Sequence, residues 1–327
     1  MKSFRRPVAT TLALAAALLL ASGAQSRETG QVFVSSEKDN TLVMVDVVRA
    51  ETTGSAPVCK RPRHLQLSPD RSRLYVACSD SNHIAVWDIA ARKVVEKLEV
   101  GDDPEMFDIS PDGRMLYASN EEDSALTAYD LVTHRKMFEV KVGGEPEGVK
   151  VSADGKTVYV ASEVASTVHV IDVASRKVVK NIAVGKRPRR FLLTASQLWV
   201  SNELGASVSL IGLADHAVQG TIVFRPPGMR AEDVTPVGMA LSGDGKTAYV
   251  GLGRANHVAV VDVASRQVRG YVLVGKRAWG LGLSRDGRRL YVANGLSDDL
   301  TIVDTAAMKA VKTVRAGRSP HSVVVDD

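Results

Sequence analysis

Along most of the chain, apolar residues alternate or run together over four to seven positions, and clusters of Gly, Asp, Ser and Pro separate these runs. That period predicts short β-strands. Beyond the N-terminal stretch no sustained 3.6-residue period appears. In "PEGVKVSADGKTVYVASEVASTVHVIDVASRKVVKNIAVG", residues 146–185, four strands are expected: A at about Gly148–Val151, B at Val158–Ser162, C at Thr167–Val173 and D at Val178–Val184. "SADGK" and "ASRK" supply the turns, with Gly155 suited to a positive φ.

The same unit recurs. An aromatic residue marks strand B at Phe33, Tyr75, Tyr117, Tyr159, Trp199, Tyr249 and Tyr291, at intervals of 42, 42, 42, 40, 50 and 42 residues. Four strands at such a period are the signature of a propeller blade, so the chain is expected to be all-β. The architecture is a seven-bladed β-propeller of four-stranded antiparallel blades. "QVFVSS" begins the first copy without a strand A, and "SPHSVVVDD" ends the chain as a strand A alone. The C-terminal strand is therefore expected to pair with the N-terminal blade and close the ring, removing open sheet edges.

"LYVANGLSDDLTIVDTAAMKAVKTVRAG", residues 290–317, resembles the YVTN repeat, and the likeness runs from Val32 to the C-terminus. More narrowly, an exported single-domain form resembles the propeller family encoded alongside pyrroloquinoline quinone (PQQ)-dependent alcohol catabolism. That resemblance implies PQQ as a ligand, and a periplasmic PQQ-dependent dehydrogenase or transport component as partner. Fold alone carries no function.

Export is read from the residues. "MKSFRRPVATTLALAAALLLASGAQS" has a basic start, a short apolar run and small residues, the layout of a signal peptide cleaved after Ala24. Residues 25–327 then form the single propeller domain, periplasmic or secreted and monomeric. The apolar run is shorter than the roughly 20 residues of a membrane span. Cleavage leaves 39 Lys+Arg against 37 Asp+Glu, a net charge of +2. That near-neutral balance and 5% aromatic content argue against nucleic-acid binding. Cys59 and Cys78 fall on one rim of one blade and form either a disulfide or two free thiols.

Most repeated polar residues have local explanations. Asp46, Asp88, Asp130, Asp172, Asp262 and Asp304 close strand C, and Asp70, Asp112, Asp154, Asp244 and Asp286 sit in tight turns. The copies disagree instead at the opening of strand A. "VGDDPEMF" (100–107) and "VGKRPRRF" (184–191) share a framework and reverse every charge. After the Pro slot come Arg63, Glu105, Glu147, Arg189, Val237, Trp279 and His321, then His64, Met106, Gly148, Arg190, Gly238, Gly280 and Ser322. These positions should ring the channel mouth on the rim of the D–A and B–C loops, the first rim; the A–B and C–D turns make the second. Loops after strand B add Glu37, Glu121, Glu163 and Glu203 to the first rim. The segment 223–236, with Arg225 and Arg230, is expected to form a flap there.

A small anionic ligand or a partner protein is the occupant expected at this mouth. For PQQ, Arg63, Arg189 and Arg190 would contact carboxylates and Trp279 would stack. A bland alternative has Glu105 and Glu147 neutralising the arginines across a wet channel. An enzyme, for example a lactonase-like hydrolase using His64 or His321 beside a glutamate, is a second reading. No nucleophile elbow, metal-binding His cluster or haem-attachment motif supports it. A pure protein-interaction scaffold is the third.

Overall fold

The computed structural model describes residues 28–327; the signal-peptide reading lies outside them. Seven four-stranded antiparallel sheets make seven blades. The innermost strands, A, are Pro320–Asp326 in blade 1, then Pro62–Leu67, Pro104–Ile109, Pro146–Val151, Pro188–Leu193, Met239–Leu241 and Ala278–Leu283. Blade 1 closes as expected: its strand A pairs with Gln31–Ser36, placing Phe33 opposite Val324 and Val34 opposite Val323. Blade 4 shows the expected four strands, at Pro146–Val151, Thr157–Ser162, Thr167–Asp172 and Lys177–Ala183. Among the described residues no helix is long and apolar enough to cross a membrane.

The core lies between blades. Trp199, Val208 and Leu210 of blade 5 pack on Ala248, Val250 and Ala259 of blade 6. Tyr291 joins blade 7 to Val32 and Val43 of blade 1. Strands B and C are therefore apolar on both faces, whereas strand D, outermost, is largely exposed.

The repeated acids act locally. Asp70 and Asp154 accept hydrogen bonds from Ser68 and Ser152 of their own turns. Asp88 and Asp304 accept the amides of Ala91 and Ala307. Cys59 and Cys78 form a disulfide with a Cα–Cα distance of 5.8 Å. In other blades this contact is a glycine beneath the last side chain of strand B. A Cβ on Gly101 would meet Asn120 at 2.4 Å, and one on Gly185 would meet Asn202 at 2.5 Å. The bond thus replaces a packing contact that the repeat makes elsewhere.

Candidate functional site

A strand should send consecutive side chains to opposite faces. The innermost strands break this rule where they open. Pro188 lies opposite Asn202 and Phe191 opposite Val200, so one extra residue is accommodated in blade 5. The same β-bulge follows Pro62, Pro104, Pro146, Ala278 and Pro320. Bulges re-aim side chains, and here Arg189 and Arg190 both reach groups around the channel.

The first residue after the Pro slot forms a closed layer. Arg63 pairs with Glu105, with Glu37 at 3.1 Å and with Glu147 at 3.7 Å. Arg189 pairs with Glu163, with Glu147 at 2.9 Å and, through Nε, with Glu203 at 2.8 Å. Arg190 reaches Glu147 at 3.3 Å. Arg61 and Arg187 extend the network to Glu105 and Glu163. Glu121 lies beside Asp103 and Glu105, and Arg61 bridges those two. Glu105 is 0% and Glu147 2% exposed, so this is a buried plug in place of a wet, open mouth. Residues of opposite sign in neighbouring copies therefore pair side by side between adjacent blades.

Burial opposes ionisation of Glu147, but Arg189, Arg190 and Arg63 together bring its pKa down to about 2. Burial raises Glu105 to about 8 and Glu163 to about 7, because fewer cations offset it at those carboxylates. Burial, and then the field of Arg190, holds the His64 imidazole well below its ordinary value. Burial and the cations Arg63, Arg190 and Arg189 do the same to His321. Both rings are neutral at pH 7. The guanidinium of Arg190 only donates, so His321 Nε2, 3.3 Å away, accepts and the ring proton sits on Nδ1. Trp279 lies beneath two guanidiniums, Arg277 at 4.2 Å and Arg189 at 5.2 Å from the ring centroid.

Inward of the plug lies a cavity of about 420 Å³, lined at its upper end by His64, Arg190, Trp279 and His321. Phe107, Phe191 and Leu281 form apolar wall, and Gln66, Asp108 and Lys150 line the lower end. These last residues lie further along strand A, toward the second rim. On the first-rim side of the plug a space of about 50 Å³ lies between Glu37, Arg63, Arg189, Arg277 and Trp279. The space for a ligand is thus on the far side of the plug from the expected mouth.

The fold brings Arg63, His64, Glu105, Glu147, Arg189, Arg190, Trp279, His321, Glu37, Glu163 and Glu203 together around the channel, with Glu121 at the margin. Arg225 and Arg230 line neither cavity. Arg230 pairs with Asp233 and Glu232 of its own segment, and that segment is anchored by buried Phe224 and Val234. Sequence reasoning overlooked Gln66, Asp108 and Lys150. They occupy one slot, the fifth residue of strand A, where the other blades carry Leu192, Ala240, Gly282 and Val324. Three polar residues spaced 42 apart at an inward slot were the available signal.

Comparison with known proteins bears on fold. A YNCE-like beta-propeller family model matches residues 105–196. No curated protein matches the chain. Among solved structures, hydrazine synthase of Kuenenia stuttgartiensis is 24% identical with a TM-score of 0.76, covering 85% of this chain and 93% of that one. The periplasmic gluconolactonase PpgL of Pseudomonas aeruginosa is 20% identical, TM-score 0.76, covering 90% and 98%. Dihydro-heme d1 dehydrogenase NirN in complex with DHE is 17% identical, TM-score 0.67, covering 92% and 77%. At these identities the likeness is one of propeller fold.

Proposed function

We propose that this chain is an exported β-propeller binding protein that holds a small carboxylate-bearing molecule in its central channel and serves a periplasmic PQQ-dependent oxidation system. One observation carries the reading: the cavity combines two cations, Arg190 and Lys150, with neutral His64 and His321 and aromatic wall from Phe107 and Phe191. Its size suits a small ligand, since such sites run from roughly 300 to 1,000 Å³. Arg190 would hold a carboxylate through charge-assisted hydrogen bonds. The resemblance to the PQQ-associated family nominates PQQ. Arg63 and Arg189 each face three glutamates and the Trp279 ring is covered by guanidiniums, so Arg190, Lys150, Phe107 and Phe191 inherit the roles of carboxylate contact and flat surface. The signal-peptide layout and the Cys59–Cys78 disulfide fit an oxidising compartment.

Calorimetric titration of the mature protein with PQQ, beside Arg190→Ala, tests this reading. Saturable binding that the variant loses is the expected result. A folded wild-type protein that binds neither PQQ nor simpler carboxylates would overturn it. A second reading, hydrolysis of a lactone, draws on the neutral His64 imidazole beside the Arg190 cation, a base next to a group that could stabilise an oxyanion. Gluconolactone turnover followed by proton release, and lost in His64→Asn, would favour it.

A further inference from the structure

The repeat does not require Gln66, Asp108 and Lys150: four of seven blades place Leu, Ala, Gly or Val in their slot. They are nonetheless ordered. Asp108 is buried and accepts four donors: Gln66 Nε2 at 3.1 Å, the amides of Ile109 at 3.0 Å and Val151 at 2.9 Å, and Lys150 Nζ at 2.9 Å. With its acceptor capacity engaged, Asp108 acts as a fixed post. It orients the Gln66 amide so that Oε1, buried and without a protein partner, is left as an acceptor. It also holds Lys150 Nζ by one contact, leaving further N–H donors on a side chain that is 34% exposed.

Resting on the ligand-binding reading above, we infer that this trio is a second anchoring subsite, and that the channel takes a di- or polycarboxylate with an O–H or N–H donor next to one carboxylate. One acid group meets Arg190 at the plug. The second meets Lys150 at the lower end, and its adjacent donor meets Gln66 Oε1. A buried acceptor left unpaired is costly, so the donor contributes selectivity as well as affinity.

The test is calorimetric titration of the mature protein with malate (a hydroxy-diacid), succinate (a diacid without the hydroxyl), lactate (a hydroxy-monoacid) and PQQ. Wild type is expected to bind malate or PQQ at least tenfold tighter than lactate, and malate tighter than succinate. Lys150→Gln should bring malate and lactate to nearly equal affinity, since each then keeps only the Arg190 contact, and Gln66→Leu should erase the preference of malate over succinate. Wild type binding lactate as tightly as every diacid overturns the inference and leaves the binding reading intact, whether or not the variants fold. So does a folded Lys150→Gln that keeps the diacid preference while Arg190→Ala abolishes binding. Binding of none of the four compounds overturns both.

Discussion

Glu147 faces three guanidiniums, and its ionisation separates two pH regimes. Its folded-state pKa of about 2 lies below the ordinary 4.5, so its stabilising effect is complete above pH 4.5 and lost as pH falls toward 2. His64 and His321 lie below their ordinary 6.5. As pH falls through 6.5 the unfolded chain takes up protons that the folded one refuses, and stability drops. Glu105 and Glu163, raised to about 8 and about 7, act oppositely: the folded state keeps protons that the unfolded chain releases above pH 4.5, so stability falls as pH rises toward 8. Below pH 6.5 the histidines and the glutamates oppose one another. Above 6.5 the glutamates act alone, and below 4.5 Glu147 adds its own loss. Urea midpoints at pH 4, 5.5, 7 and 8.5 should therefore peak near 5.5, and Glu105→Gln should remove part of the decline toward 8.5. A wild-type midpoint climbing from pH 5.5 to 8.5 would show that Glu105 and Glu163 ionise as ordinary carboxylates.

At the scale of the strand, the bulge decides which residues meet, and in three blades the second residue after the Pro slot is a glycine pressed against the next inner strand. A Cβ on Gly148 would lie 2.3 Å from the backbone oxygen of Arg189, in the next blade. Gly238 and Gly280 meet the backbone oxygens of Trp279 and His321 in the same way. Part of the variation among copies is thus packing between neighbouring inner strands. Gly148→Ala should cost about 1–3 kcal/mol by forcing blades 4 and 5 apart. Gly54→Ala, whose Cβ would meet only Met44 Cε at 3.7 Å, should stay within about 0.5 kcal/mol. Chemical denaturation of the two variants checks this, and equal costs would refute the close-approach argument. The strands themselves were legible because alternation and turn residues are local. Alternation places Arg189 and Arg190 on opposite faces, and only the pairing with Gln197–Asn202 reveals the inserted residue. The plug was legible as a set of charges but not as a closure, because its partners lie 42 residues apart along the chain and meet only when adjacent blades pack. The flap segment is anchored at its ends by buried Phe224 and Val234, with residues 227–232 exposed between them.

For the whole molecule, the ring and the site depend on the same strand. Pro320–Asp326 supplies blade 1 with its innermost strand, covers the edge of Gln31–Ser36, and brings His321 to the plug and the cavity. Its end is tied down as well: Asp326 accepts Arg71 Nε at 2.8 Å, the Thr29 amide at 2.9 Å and the Thr29 hydroxyl at 2.6 Å. These contacts join residues roughly 255 to 297 apart in sequence, so closure comes at a high cost in chain entropy that only the completed wheel offsets. Deleting residues 320–327 should then do more than remove one strand. It leaves Phe33 and Val34 on an open edge and opens the channel wall, so the product should aggregate or lose its single cooperative melt. Asp326→Ala keeps the strand and removes only its anchors, and should fold with a loss of about 1–3 kcal/mol. Calorimetry and size-exclusion chromatography separate the two. A truncated protein that stays monomeric and melts cooperatively would mean that six complete blades hold the ring without the seam, and that His321 is dispensable to the architecture.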